Sequence, residues 1–280
     1  MSDSFAARFA ATRAAVGPLC WGLDPSSDLL EEWGLGDTPE GLDGFVDIAL
    51  EAAVGAVGII KAQSAFYERQ GWRGIRTLGR LTEQARSAGL LVIIDAKRGD
   101  VGSTNDAYAQ AYLGKDAPLA CDALTVHPYL GLGAMDGFIA RAHASKSCVL
   151  IVTRSSNPEG RNVQSATHAG QSVESGLLGE IGRRNGELTT DDLGPIGAVV
   201  APVHITPPLD LVSARAIFLA PGLGAQGASV QDVAEVFATC RDRVIPSASR
   251  SLLSAGPDVA HLADRVSDMA RTCRDLLAVS

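Results

Sequence analysis

The hexapeptide Asp95-Ala96-Lys97-Arg98-Gly99-Asp100 sets a lysine between two carboxylates, directly after the apolar run Leu90-Leu91-Val92-Ile93-Ile94. A lysine between two carboxylates at a strand edge, where α/β folds bind ligands, suggests proton chemistry. Residues two apart on a strand share a face. Asp95 and Lys97 should therefore project together from a strand end, with Asp100 just beyond in the loop. The same trio would also make a surface salt bridge beside a turn. What the rest of the chain brings to the same level decides between these readings.

The run before Asp95 is short, branched and flanked by Gly89 and Gly99, the pattern of a buried parallel strand. Comparable runs lie at Leu19–Leu23, Val57–Ile60, Ala123–Val126, Cys148–Val152, Gly197–Val203, Ala216–Leu219 and Val244–Ile245. Helix-type spacing occupies Pro39–Val54, Gly74–Ala88, Thr104–Gly114, Gly133–Ala144, Gln171–Arg184, Val230–Thr239 and Asp258–Leu277. Eight strands alternating with helices over 280 residues predict a single (β/α)8 TIM barrel spanning residues 1–280. An open doubly wound sheet is the structural alternative. No linker rich in Pro, Ser or charge divides the chain. The longest irregular stretch, Ser155–Gly170, reads as a lid after the fifth strand.

Polar residues collect where these runs end. The first leads into Asp24-Pro25-Ser26, the second into Lys61-Ala62-Gln63-Ser64 and the third into the Asp-Lys-Asp cluster. His127-Pro128-Tyr129 follows the fourth, Thr153-Arg154-Ser155-Ser156-Asn157 the fifth, Pro221-Gly222 the seventh and Ser247-Ala248-Ser249-Arg250 the eighth. Barrel active sites form on that side. A single charge after a strand is an ordinary loop residue; seven in register argue for a site.

Composition narrows the function classes. The chain is 46% hydrophobic and carries a net charge of −8, with no basic run or stripe interleaved with aromatics. Nucleic acid is therefore not an expected partner, whereas a local phosphate site is compatible. Five scattered cysteines without a CxxC pair read as reduced thiols of a cytoplasmic protein. The stretch Met1–Ala15 lacks the long apolar core of a signal peptide. No apolar run reaches the roughly 20 residues that span a bilayer, so no membrane association is expected.

Gly222-Leu223-Gly224-Ala225-Gln226-Gly227 fits GxGxxG, but it follows a late strand and lacks the acidic residue of a dinucleotide site. A glycine turn before a helix can still present N–H groups to an anion, and barrel phosphate sites commonly use the loops after strands seven and eight. Ser249-Arg250 adds a hydroxyl and a guanidinium fork suited to phosphate. The histidines have no HxxxH or HxH spacing. Lys61 and Lys97 would compete with a cation for Asp24, Asp95 and Asp100, so a charge-balanced site without metal is expected. Gly-x-Ser-x-Gly is absent, and His127 reads as a strand-end packing or hydrogen-bonding residue.

Taken together, these segments resemble orotidine 5′-phosphate decarboxylase, most of all the longer bacterial branch of that family. The resemblance rests on Asp24-Pro25-Ser26, Lys61 with Gln63-Ser64-Ala65-Phe66-Tyr67-Glu68, Asp95–Asp100 with Gly102-Ser103-Thr104, and His127-Pro128-Tyr129-Leu130-Gly131. Ser155-Ser156-Asn157-Pro158, the glycine turn from Pro221 and Ser249-Arg250 complete it, in the family's order from about Trp21 to Ser254. Three positions depart from it: Ala62 in place of a proline, His127 in place of an asparagine, and Ala201-Pro202-Val203 in place of Gly-Ala-Thr. None removes a charged position.

The resemblance implies decarboxylation of orotidine 5′-monophosphate to UMP, the last step of de novo pyrimidine nucleotide synthesis, with no cofactor. Lys97 would stabilise the ring carbanion and then protonate it. Asp95 would lie close to the substrate carboxylate and hold Lys97, Lys61 would bridge the ribose and Asp95, and Asp24 would hold a ribose hydroxyl. Asp100 and Thr104 would reach into a neighbouring subunit's site, which implies a homodimer. Ser156, or Ser155 in its place, would read the pyrimidine amide. Gln226 and Arg250, with the backbone near Ser249, would grip the phosphate, and Pro221 would help bind the substrate. Three rivals are a Mg²⁺-dependent enzyme acting on a keto-sugar phosphate, a Schiff-base aldolase at Lys97 or Lys61, and a catalytically silent nucleotide-binding barrel.

Overall fold

The computed structural model describes residues 3–203, 208–224 and 227–278. Eight parallel strands close into a barrel: β1 (Cys20–Leu23), β2 (Ile59–Gln63), β3 (Leu91–Arg98), β4 (Ala123–Val126), β5 (Cys148–Arg154), β6 (Ile196–Val200), β7 (Phe218–Pro221) and β8 (Val244–Ala248). Each strand pairs with its neighbours in chain order, and β8 closes on β1 through Cys20 opposite Ser247. The eight predicted runs are these eight strands. The sixth ends at Val200 rather than Val203, and the third extends through the polar cluster to Arg98.

Alternation along the strands divides the core into two layers. Trp21, Ile60, Val92, Leu124, Val149, Ala198 and Phe218 point outward beneath the helices. Cys20, Ile59, Leu91, Ile93, Cys148, Leu150 and Ile245 fill the barrel. Towards the carboxyl ends the inward positions turn polar: Ile59 gives way to Lys61 and Gln63, and Ile93 to Asp95. The apolar floor and the polar mouth are therefore successive turns of one period-two pattern.

Helix α1 (Phe5–Val16) precedes the barrel and closes its amino-terminal end. Its cap is Ser4, whose hydroxyl accepts from Ala7 N–H, and Phe5 and Phe9, one helical turn apart, pack into the barrel interior. Arg8 pairs with the buried Asp122, and Arg13 donates to the Leu277 carbonyl at 2.6 Å. No element was expected in this stretch. The longer helices that follow are α2 (Pro39–Ala53), α3 (Gly71–Ser87), α4 (Gly102–Tyr112), α5 (Asp136–Ser145), α6 (Val173–Leu188), α7 (Val230–Val236) and α8 (Val259–Leu276). Thr38, Ser172, Ser229 and Asp258 cap four of them with side-chain oxygens. Among the described residues of 201–217 there is no helix.

The stretch 155–170, expected to be irregular, is built from short elements instead. It holds helical turns at Pro158–Gly160 and Arg161–Gln164, followed by a hairpin pairing Thr167–His168 with Gln171–Ser172. Elements of two to four residues are too short to leave a periodic signature.

Candidate active site

The carboxyl ends of the strands surround a cavity of about 340 Å³. One wall carries Asp24, Lys61, Asp95 and Lys97; the other carries Pro221, Gly222, Ser249 and Arg250. On the first wall charges of opposite sign alternate. Lys61 Nζ lies 3.6 Å from Asp24 Oδ1 and 3.3 Å from Asp95 Oδ2, and Lys97 Nζ lies 2.6 Å from Asp95 Oδ1. Burial opposes the Lys61 charge, but Asp24 and Asp95 outweigh it and hold the ammonium well above the usual lysine range. Burial likewise opposes ionisation of Asp95, yet Lys61 and Lys97 bring its carboxyl down to about 2. Lys61 and Asp95, the two middle members, each stand between two opposite charges and stay ionised at neutral pH.

Asp95 and Lys97 meet by a different route from regular strand alternation. Between Ile94 and Arg98 the register of β3 slips: three residues, Asp95, Ala96 and Lys97, stand against Thr125 alone on β4. Lys97 sits in the left-handed region at φ 47°. Thr125 occupies the gap, donating to Asp95 Oδ1 at 2.7 Å and accepting from the Lys97 N–H at 3.0 Å. Gln63, at the end of β2, donates to the Asp95 carbonyl at 3.0 Å and faces Lys97 Nζ at 3.5 Å. Neither Thr125 nor Gln63 was among the predicted site residues. Gln63 lay within a quoted motif, but Thr125 had no signal beyond its inward-facing parity on β4. His127 is exposed beside the array; partial desolvation, followed by Lys97, lowers its pKa against a weaker pull from Asp95.

On the opposite wall the chain turns sharply. Gly222 and Gly224 take φ of 105° and 73°, conformations that favour glycine, and a side chain at Gly224 would meet Ser251 Oγ at 2.8 Å. Ser249 follows β8 and Arg250 opens the turn Arg250–Leu253, so both face the cavity. Asp24 Oδ1, which faces Lys61 only at ion-pair distance, and Ser249 Oγ are buried without a hydrogen-bond partner among the described residues. Gln226, expected at the phosphate, lies outside the described residues, as does Ala225.

Ser155, Ser156 and Asn157 edge the cavity from the loop after β5. The Ser155 hydroxyl donates to Asn157 at 2.6 Å and accepts from Gln164 at 2.8 Å, stitching the loop together. Asp100 and Thr104 do not line the cavity of their own chain. The Asp100 carboxylate accepts from Val101 N–H at 2.8 Å, and its backbone N–H donates to Asn105 at 2.9 Å. Thr104 is exposed in the first turn of α4. Val101, Tyr129 and Leu130 are exposed apolar residues on the two loops that meet here, where Gly99 packs against the His127 carbonyl. A second groove, of about 920 Å³, opens beside Lys97 and runs past His127 and Tyr129 towards Leu177.

Among the described residues no three His, Cys, Asp or Glu side chains converge in a way that could hold a metal ion, and no helix is long and apolar enough to cross a membrane. All five cysteines are buried and unpaired. Closed parallel strands, an apolar floor and charged groups confined to the carboxyl-terminal mouth make this a (β/α)8-barrel enzyme. Residues 17–264 match the profile of the Orotidine 5′-phosphate decarboxylase / HUMPS family, and the chain belongs to that family. It is 44% identical over 279 residues to an orotidine 5′-phosphate decarboxylase of Salinispora arenicola, covering 99% of this chain and 100% of the relative. Another of that name, from Streptomyces coelicolor, is 44% identical over 276 residues, covering 96% and 98% of the two chains. A crystal structure from Streptomyces avermitilis superposes with a TM-score of 0.94 at 40% identity, over 99% of this chain and 97% of that one.

Proposed function

We propose that this chain decarboxylates orotidine 5′-monophosphate to UMP in the cytoplasm, without metal or organic cofactor. The observation that carries the reading is the alternating array Asp24–Lys61–Asp95–Lys97 facing the glycine turn and Ser249-Arg250 across a single cavity. A nucleotide bound between those walls sets its phosphate on Ser249 and Arg250, its ribose on Asp24 and Lys61, and its ring carboxylate beside Asp95; the family resemblance adds Gln226 to the phosphate's partners. Pro221 packs against the nucleotide, and Ser156 reads the pyrimidine amide.

In that pose Asp95 crowds the substrate carboxylate with like charge, a repulsion that ends as neutral CO₂ departs. The bond between the ring carbon and the carboxylate carbon breaks and its electron pair stays on the ring. The Lys97 ammonium, fixed beforehand by Asp95, stabilises that pair and transfers a proton to the same carbon. Lys97 is left as a neutral amine and regains a proton from solvent. Phosphate binding, remote from the reacting carbon, supplies energy for holding this geometry.

The functional unit is a homodimer. Asp100 and Thr104 stand outside their own cavity, next to exposed Val101, Tyr129 and Leu130, an arrangement suited to entering the site of a second copy beside Lys97.

The test is loss of the orotidine 5′-monophosphate chromophore with EDTA present, wild type beside Lys97→Ala. Turnover by wild type and its loss in the variant is the expected result. Tight UMP binding without turnover would overturn it in favour of a silent binder. Activity on a keto-sugar phosphate that chelator abolishes would point to a metal-dependent enzyme instead.

A further inference from the structure

We propose that Thr125 is a positioning residue for the reaction at Lys97, its hydroxyl joining the Asp95 carboxylate to the Lys97 backbone. The inference rests on the decarboxylase reading for its kinetic consequence, and on geometry alone for the tie itself.

A threonine hydroxyl has one hydrogen to give and lone pairs to receive. Here both capacities are used, and on the two residues that matter most. The hydrogen goes to Asp95 Oδ1 at 2.7 Å, the oxygen that also faces Lys97 Nζ at 2.6 Å, and the lone pair takes the Lys97 N–H at 3.0 Å. Thr125 is 1% exposed, so water does not compete for either bond. The slip in β3 is what makes this necessary. With three residues opposite one, the Lys97 N–H has lost its place in the strand ladder, and its backbone is held at φ 47°. The hydroxyl supplies the missing acceptor and, through the same atom, sets the rotamer of the carboxylate that aims the ammonium. Backbone placement and charge placement are thereby fixed together.

A residue serving only as core would be replaced without kinetic effect by the isosteric valine. A residue serving as a tie would be replaced by serine and not by valine. For Thr125→Val we expect kcat to fall by about tenfold or more, with KM for the substrate within about threefold of wild type, since misplacing a reacting group by a fraction of an ångström has costs of that order. Thr125→Ser should stay within about threefold of wild type in both constants. Independently of activity, hydrogen exchange at the Lys97 amide should quicken by about tenfold or more in Thr125→Val and not in Thr125→Ser. Thermal melts of both variants establish that they are folded. A folded Thr125→Val with kcat near wild type, an equal kinetic loss in Thr125→Ser, or unchanged exchange at Lys97 would overturn the proposal. Should wild type fail to turn over orotidine 5′-monophosphate, the decarboxylase reading falls, while the exchange measurement still decides whether Thr125 holds Lys97.

Discussion

Arg154 and Glu174 form a buried two-point ion pair that ties the last residue of β5 to the first turn of α6. The guanidinium Nε donates to Glu174 Oε2 at 2.7 Å and Nη2 to Oε1, and both side chains are about 95% buried. Between these residues lies the whole loop that carries Ser155, Ser156 and Asn157. Glu174 also stands near the amino terminus of a 16-residue helix, where the dipole favours its charge. The pair therefore holds both roots of the loop at one distance while its middle is built from short turns. Glu174→Gln leaves the Arg154 charge buried and half-satisfied, and should destabilise the protein by about 3 kcal/mol in chemical denaturation. Replacing both residues with apolar ones of similar size should recover part of that loss. A Glu174→Gln variant as stable as wild type would contradict the account.

Gly22 places the two walls of the cavity in contact. A side chain there would come within 2.7 Å of Ser249 Cβ and 3.3 Å of Asp24 Oδ2. Gly22→Ala should push Ser249 out of line and weaken phosphate recognition, raising KM by about tenfold while the protein stays folded. Inhibition by inorganic phosphate, measured in parallel, should weaken by a similar factor.

The charge array gives stability a defined pH dependence. Asp95 is held at about 2 in the folded protein, below its ordinary value of 3.8. Its contribution is fully present above that ordinary value and is lost as pH falls towards the folded value. Lys61 is raised above 10.5, so its contribution is complete below that pH and declines only in strong alkali. The difference in unfolding free energy between wild type and Asp95→Asn should therefore stay level from about pH 5 to 9 and narrow below about pH 4. A difference that grows on acidification would refute the assignment.

Two inactive variants should rescue one another if the sites are shared. Lys97→Ala removes a group from one subunit's own cavity, and Asp100→Ala one that reaches into its neighbour's. Random pairing of equal amounts puts half the molecules in mixed dimers, each with one intact site, so about a quarter of wild-type activity should return on mixing. No recovery, with exchange of subunits demonstrated, would remove Asp100 from the partner's site.

The barrel was legible because each strand is a short branched run that ends where polar residues begin, as at Ile94–Asp95 and Val126–His127. The alternating array was legible for the same reason, since Asp24, Lys61 and Asp95 all stand one step past such runs. What escaped was local geometry with no period to report it. The slip opposite Thr125 depends on a pairing between two strands 30 residues apart, and the Arg154–Glu174 tie spans 20. Both short helical turns after β5 and the helix α1, with only Phe5 and Phe9 as large apolar residues, carry too little pattern to be read.

The Arg13 bond to the Leu277 carbonyl brings the first and last helices together beneath the floor, on the side away from the mouth. A molecule anchored to a bead or fused to a carrier through either end is thus held by its base. Its opening faces free solution, and traffic through it is undisturbed by the tether.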